Sequence, residues 1–212
     1  MKKIKFIALF IIFFYSCKQE QKKIVATNVT NLPFFNSANF TPEWNVATHK
    51  IPAFSFTNQL GNTITNATYK GKIYIANFFF TICPGICPKL TNNMILLQKH
   101  YADDTNVMLL SHSVMPWYDT VKVLSNYAKT NRIDNLKWNL VTGNKDSIYA
   151  IARKGYFADE DFGKTQEENN FIHTENFILI DKKGHIRGVY NGTIEMDLKR
   201  LIRHIDILKK EK

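Results

Sequence analysis

Hydrophobic and polar residues follow two different patterns along the chain after about residue 70. Continuous apolar runs that are rich in β-branched and aromatic residues are typical of buried strands. Segments whose apolar residues recur every three or four positions are typical of amphipathic helices. The alternating predicted strands and helices are 72–80, 89–101, 106–114, 120–130, 138–143 and 145–156. The pattern therefore predicts three successive strand–helix units.

The C-terminal part of the chain follows a different order. Two apolar runs flank the tetrapeptide DKKG within residues 176–192, which predicts a β-hairpin. Apolar residues then line one face of a closing helix from Ile194 to Leu208. This succession predicts an α/β fold with a mixed central sheet flanked by helices. Two cysteines stand between the first long strand and its helix, so the predicted domain, residues 44–212, is thioredoxin-like.

The first 17 residues differ in composition from the predicted domain. They read MKKIKFIALFIIFFYSC, a basic start and a short apolar run, followed by a small residue and Cys17. This order is typical of a secretory signal, and the run is short for a bilayer span. Cys17 resembles the cysteine of the bacterial lipoprotein box, although Phe14 stands where leucine is usual, and the resemblance implies lipidation of Cys17. An uncleaved anchor helix or a plain signal peptide is the alternative.

Each alternative predicts an exported, membrane-proximal domain, and the lipoprotein-like interpretation predicts one that is anchored to the membrane and faces the periplasm. Residues 18–43 are polar and Asn-rich without periodicity, and we predict that they form a tether. The net charge of +10 does not change this picture, because most basic residues are scattered apart from concentrations at the N-terminus and in the last helix. Scattered charge is typical of a solvated surface and argues against nucleic acid as a partner.

The stretch NFFFTICPGICPKL, residues 77–90, contains the other two cysteines, Cys83 and Cys87. A disulfide between them would close a very short loop and would add little stability. Pro88 suits the first turn of a helix, which places Cys87 at the helix start. The partial positive charge at a helix N-terminus favours thiolates, so we predict that both sulfurs are more reactive than a surface cysteine. The pair could form a redox-active disulfide or chelate one ion.

A histidine further along the chain bears on these alternatives. Thioredoxins combine C-x-x-C with a cis-proline, whereas this chain has C-x-x-x-C and no proline after Pro116. Just before the predicted hairpin stands His173. Two thiolates and one imidazole form a soft donor set that suits Cu(I) or zinc. Because a structural zinc site normally has four protein ligands, three ligands favour Cu(I).

From about Ile51 to its C-terminus, the chain resembles the Sco/SenC family of thioredoxin-like, copper-binding factors for cytochrome c oxidase assembly. The matching segments are IPAFSFTNQLGNTIT, KGKIYIANFFFTICPGICPKL, WNLVTGNKDSIYAIARKGY and FIHTENFILIDKKGHI. The resemblance implies that Cys83, Cys87 and His173 are the ligands of a copper ion. Met115 and Ile172 replace two acidic residues that are usual in the family, which removes negative charge near the implied site.

The function that the resemblance implies is that of a membrane-tethered copper metallochaperone, which binds Cu(I) and delivers it to the copper-binding subunit of a respiratory oxidase. The alternative is an enzyme, a thiol–disulfide oxidoreductase that reduces the cysteines of that subunit through Cys83 and Cys87. A dithiol reductase would not need His173. A peroxiredoxin-type peroxidase is disfavoured, because its threonine would lie three residues before the reactive cysteine, whereas Thr81 lies two before Cys83.

Overall fold

The computed structural model of the protein describes residues 30–158 and 174–211. Its strands are β1 (Phe34–Phe35), β2 (Pro42–Glu43), β3 (Ser55–Asn58), β4 (Thr63–Thr65), β5 (Ile73–Phe79), β6 (Val107–Ser113), β7 (Trp138–Thr142), β8 (Asn176–Ile180) and β9 (Ile186–Asn191). Its α-helices are α1 (Cys87–His100), α2 (Val121–Thr130), α3 (Lys145–Ala150) and α4 (Glu195–Lys210). A short 3₁₀ helix, Asn66–Tyr69, precedes β5, and a π-helical turn, Ile151–Gly155, continues α3. The predicted strand–helix units, hairpin and closing helix are all present.

Seven strands form one sheet in the order β4-β3-β7-β6-β5-β8-β9. The central strands β5, β6 and β7 are parallel to one another, whereas β3, β4, β8 and β9 run antiparallel to their neighbours. Strands β1 and β2 pair separately. Because the sheet is mixed and helices pack on it, the predicted α/β class is confirmed.

The central strand β5 is buried on both faces of the sheet. Ile73, Ile75 and Phe79 belong to one core, which also includes residues of α1, α2 and α4. The alternate residues Tyr74 and Phe78 belong to a second core on the other face, which includes residues of α3. A strand that is buried on both faces has no polar period, which explains why its sequence is a continuous apolar run.

The hairpin of β3 and β4 is an element that the hydrophobic pattern does not predict. Its strands are four and three residues long and lie at one edge of the sheet. Phe56 and Ile64 are paired across it and are both buried, and Gly61 makes its turn with a φ of +82°. Strands this short contain too few alternating residues to be recognised from the sequence.

The N-terminal boundary of the domain needs correction. Residues 18–43 are predicted to be a tether, but the chain packs against the domain from Leu32 onward. Leu32 is 3% exposed, its amide donates to the Glu211 carboxylate at 2.9 Å, and its carbonyl accepts from Arg187. The packed domain therefore begins well before residue 44. Cys17 and the predicted signal segment 1–17 lie outside the described residues. Within the described residues, no helix is both long and apolar enough to cross a membrane.

Candidate metal centre

The cysteine pair lies at the edge of the sheet where the parallel strands β5 and β6 end. Phe79 at the end of β5 is in register with Ser113 at the end of β6. The chain then turns, with the Cys83 amide donating to the Phe80 carbonyl at 3.3 Å. Cys87 is the first residue of α1. Both cysteines thus stand between a strand and a helix, as the sequence predicts.

Cys83 is a partly exposed free thiol in the loop before α1. Partial burial by itself would raise the pKa of this thiol. Hydrogen bonds to its sulfur from the backbone and the thiol of Cys87, and from the backbones of Gly85 and Ile86, outweigh burial. The pKa of Cys83 therefore lies below the ordinary thiol value, which agrees with the predicted effect of a helix N-terminus.

Cys87 is also a free thiol, but its surroundings are different. It is 5% exposed and belongs to the same core as the buried residues of α1 that follow it, such as Leu90 and Met94. Burial raises the pKa of Cys87 to about 12, and the charges of Cys83 and Asp119 act in the same direction. A hydrogen bond with the Phe80 backbone opposes this rise. The prediction that both sulfurs are activated is therefore wrong for Cys87, because desolvation outweighs the helix terminus.

A buried carboxylate, Asp119, ties the loop after β6 to the start of the cysteine loop. One carboxylate oxygen of Asp119 accepts from the Thr81 hydroxyl at 2.5 Å. The other accepts from the Thr81 amide at 3.2 Å and the Ser113 hydroxyl at 2.5 Å. Because Thr81 stands two residues before Cys83, Asp119 positions the entry to the loop. The sequence pattern does not reveal this role, since Thr81 and Asp119 are 38 positions apart.

Met115 stands where the family pattern has an acidic residue. It begins the turn that positions Asp119. Its carbonyl accepts from the amides of Tyr118 and Asp119 at 2.9 and 2.8 Å. Its own amide donates to the Ser113 hydroxyl at 3.1 Å. These hydrogen bonds use only backbone atoms of Met115, so the turn that positions Asp119 forms without an acidic side chain at this position.

Large apolar side chains are exposed on the two loops at this edge of the sheet. Ile82 directly precedes Cys83, Ile86 directly precedes Cys87, and their side chains are 49% and 40% exposed. Trp117 and Tyr118, in the loop after β6, are 52% and 45% exposed. Exposed apolar side chains on neighbouring loops can contribute to a surface that contacts another protein.

His173, the third predicted ligand, lies outside the described residues. The described chain resumes at Thr174, and β8 begins at Asn176. Because β8 is antiparallel to β5, β8 begins at the same edge of the sheet at which β5 ends. Within residues 30–158 and 174–211, no three His, Cys, Asp or Glu side chains form a group that could hold a metal ion. The ligand set of Cys83, Cys87 and His173 therefore stays a prediction.

Four other histidines differ in how their rings are satisfied. The rings of His49 and His185 contact backbone carbonyls, each at 2.7 Å, and that of His204 contacts the Tyr190 hydroxyl at 2.8 Å. His112 is fully buried among aromatic rings, and neither of its ring nitrogens has a hydrogen-bond partner in the described chain. Burial lowers the pKa of His112 to about 3 against the opposing effect of the nearby Asn77 backbone, so its ring is neutral.

The chain is similar to proteins of one family. The SCO1/SenC family model matches residues 43–208. A SCO1 protein homolog from Bacillus subtilis is 33% identical over 146 residues, which are 68% of this chain and 75% of the relative. The crystal structure of a SCO1/SenC family lipoprotein from Bacillus anthracis has a TM-score of 0.66 at 30% identity, covering 76% of this chain and 96% of that chain. BsSco, a member of the Sco family of cytochrome c oxidase assembly proteins with a disulfide switch, has a TM-score of 0.64 at 27% identity, covering 77% and 95%.

Proposed function

The chain belongs to the SCO1/SenC family, and we propose that it is a membrane-tethered copper metallochaperone. Its cargo is Cu(I), held by Cys83, Cys87 and His173. Its recipient is the copper-binding subunit of a respiratory oxidase. The similarity to BsSco, a cytochrome c oxidase assembly protein, supports this choice of recipient.

The observation that carries the proposal is the pair of unlike free thiols at one edge of the sheet. Cys83 is partly exposed and has a lowered pKa, so it loses its proton to an incoming ion more readily than Cys87 does. Cys87 is buried and protonated, so it loses its proton when a metal binds. Soft sulfur donors select Cu(I), and a partly exposed sulfur leaves the ion within reach of a partner.

The membrane attachment is part of the same proposal. Residues 1–17 form a lipoprotein-type signal, Cys17 carries the lipid, and the tether runs from residue 18 to just before Leu32. The similarity to a SCO1/SenC family lipoprotein from Bacillus anthracis supports this arrangement. The domain would then work at the periplasmic side of the membrane.

The second candidate function is that of a thiol–disulfide oxidoreductase, which the lowered pKa and partial exposure of Cys83 favour. In that reaction the Cys83 thiolate attacks a disulfide of the recipient and forms a mixed disulfide. Cys87 then attacks the Cys83 sulfur and releases the recipient dithiol. The recipient gains two electrons and two protons, and this chain is left with a Cys83–Cys87 disulfide.

Titration of Cu(I) against a competing chelator tests the proposal. The full-length chain would be kept fully reduced in detergent and compared with His173→Ala and Cys83→Ser. We expect one tightly bound ion, with affinity at least about tenfold weaker in each variant. His100→Ala, at an exposed position on α1, is the matched control and should bind as the unmodified chain does.

If His173→Ala binds Cu(I) as tightly as the unmodified chain while Cys83→Ser does not, the three-ligand site is rejected and dithiol chemistry is favoured. Tight binding by Cys83→Ser would reject the assignment of the sulfurs. Reduction of a recipient disulfide by the metal-free His173→Ala variant at the unmodified rate would support the oxidoreductase.

A further inference from the structure

Four lysines lie in or beside the turn between β8 and β9. Lys182 and Lys183 are in the turn itself. The backbone segments that carry Lys50 and Lys70 are hydrogen-bonded to the same turn, with N···O distances of 2.9 and 3.2 Å. All four side chains are exposed and line one groove. We call Lys50, Lys70, Lys182 and Lys183 the basic face.

The positive charge of the basic face is not neutralised within the described chain. None of its four lysines has a carboxylate partner there. The carboxylate beneath it, Asp181, is buried and pairs with Arg187 at 3.2 Å. Three exposed carboxylates at this end of the described chain lie away from it: Asp103 and Asp206 line a different depression near the end of α4, and Asp134 precedes β7 beside Lys137. The basic face therefore presents a local excess of positive charge.

The basic face lies at the opposite end of the sheet from the cysteine pair. Tyr74 near the start of β5 is in register with Ile180 at the end of β8, immediately before the turn. Cys83 and Cys87 follow the other end of β5. Since β5 has seven residues, the two ends are separated by about 20 Å.

The N-terminal part of the described chain is fastened at this same end. Arg187 donates to the carbonyls of Leu32 and Pro33, and its guanidinium lies 4.2 Å from the Phe34 ring centroid. Glu211 pairs with Arg187 at 2.7 Å and accepts from the Leu32 amide. The chain that leads back to the predicted lipid site therefore leaves the described fold beside the basic face.

We propose that the basic face contacts the anionic headgroups of the membrane and holds the cysteine end away from it. This inference rests on the lipid anchor of the proposed function. Leu32 follows Cys17 by 15 positions (32 − 17), a span of at most about 50 Å, so the tether lets the face reach the bilayer. Lysines attract anionic lipids over roughly a Debye length. The anchor keeps the domain near the bilayer, and the basic face orients the domain with its cysteine end away from the bilayer.

Amide hydrogen exchange of the full-length, lipidated and reduced chain tests the inference. The chain would be reconstituted into vesicles of phosphatidylcholine alone or with phosphatidylglycerol. We expect exchange in residues 49–51, 66–71 and 181–185 to slow severalfold only when phosphatidylglycerol is present, and high salt to reverse this. Replacing all four lysines of the basic face by glutamine should abolish the effect. A control variant, Lys89→Gln with Lys122→Gln and Lys145→Gln at three exposed sites toward the cysteine end, should keep it.

Three results would overturn the inference. The first is equal amide exchange on the two kinds of vesicle, and the second is slower exchange at residues 82–90 instead of at the basic face. The third is equal slowing of exchange by soluble polyglutamate, which would assign the face to an acidic protein.

Flotation of the chain with phosphatidylcholine vesicles tests the anchor separately. If the chain does not float with them, the proposed anchor fails. Binding to phosphatidylglycerol vesicles that the four-lysine variant loses would then still support the basic face, and no such binding would reject it.

Discussion

At the residue scale, the two cysteine side chains meet different surroundings although they are four positions apart. The Cys83 sulfur receives hydrogen bonds from the amides of the loop and stays partly exposed. The Cys87 sulfur is enclosed by the core and faces the charges of Cys83 and Asp119. One sulfur therefore forms a thiolate more easily than an ordinary cysteine, and the other is held as a thiol.

We expect iodoacetamide to modify Cys83 at least about tenfold faster than Cys87 in the reduced, metal-free protein, because the thiolate is the reactive form and Cys87 is buried. Peptide mass spectrometry at successive times would measure both rates. Cys87→Ser should keep the fast reaction and Cys83→Ser should lose it. The urea-unfolded chain, in which both sulfurs are exposed, is the control. Equal rates in the folded protein would contradict the assignment.

His112 makes folding stability depend on pH. Burial lowers its folded pKa to about 3, whereas an unfolded histidine titrates near about 6.5. The unfolded chain therefore binds a proton that the folded chain does not, and stability falls as the pH drops below about 6.5. The slope from this residue is at most about 1.4 kcal/mol per pH unit.

We expect His112→Phe to remove that slope, because phenylalanine suits the aromatic surroundings and does not titrate. Urea unfolding of both proteins between about pH 7 and 4 would measure the difference in their free energies of unfolding. His100→Gln at an exposed position is the control and should follow the unmodified protein. Parallel curves for His112→Phe would show that another group causes the pH dependence.

At the scale of elements, the candidate metal centre depends on two loops that Asp119 holds together. The Val114 amide donates to the Phe79 carbonyl at 2.9 Å, so the ends of β5 and β6 are joined by the sheet. Beyond that point the Asp119 carboxylate supplies the connection, through Thr81 and Ser113. The position of the cysteine loop is therefore fixed partly from a different element.

Asp119→Asn should loosen this connection, because an amide nitrogen would face donors that now share a carboxylate. We expect a loss of about 1–3 kcal/mol in the free energy of unfolding. On the proposed function, Cu(I) affinity should fall about 10–100-fold, as for other residues that orient ligands. Urea unfolding and chelator competition measure the two effects. Asp103→Asn, at an exposed site near the other end of the sheet, is the control, and equal behaviour of both variants would reject the role of Asp119.

At the scale of the whole molecule, the two ends of the sheet carry different features. The cysteine loop and four exposed apolar residues lie at one end. The packed N-terminal segment, the Arg187 ion pairs and the basic face lie at the other. The fold thus separates a surface suited to a protein partner from the end at which the N-terminal segment is fastened.

A chain that begins at residue 44, the boundary predicted from the sequence, should be less stable than one that begins at residue 30. It loses the burial of Leu32, about 2 kcal/mol, and leaves Arg187 without two carbonyl acceptors, at about 1 kcal/mol or more each. We therefore expect a difference of about 4 kcal/mol or more in the free energy of unfolding, measured with urea. Equal stability of the two chains would mean that the N-terminal segment does not belong to the packed domain.

Much of the architecture was predictable because it depends on local patterns. The apolar runs of β5, β6 and β7 and the periodic faces of α1 and α4 are encoded within windows of 5–16 residues. The turn DKKG and the cysteines at the start of a helix are equally local. The order of these elements was sufficient to indicate the α/β class and the position of Cys83 and Cys87 between strand and helix.

Other features arise from contacts between distant parts of the chain, which no local pattern contains. Leu32 contacts Glu211 across 179 positions, and Thr81 contacts Asp119 across 38. The unequal pKa values of Cys83 and Cys87 depend on which sulfur the core encloses. Desolvation and through-space charge act over ångströms rather than along the sequence. The sequence by itself therefore determined most of the elements and the positions of the cysteines, and the tertiary structure decided the domain boundary, the supporting carboxylate and the difference between the two thiols.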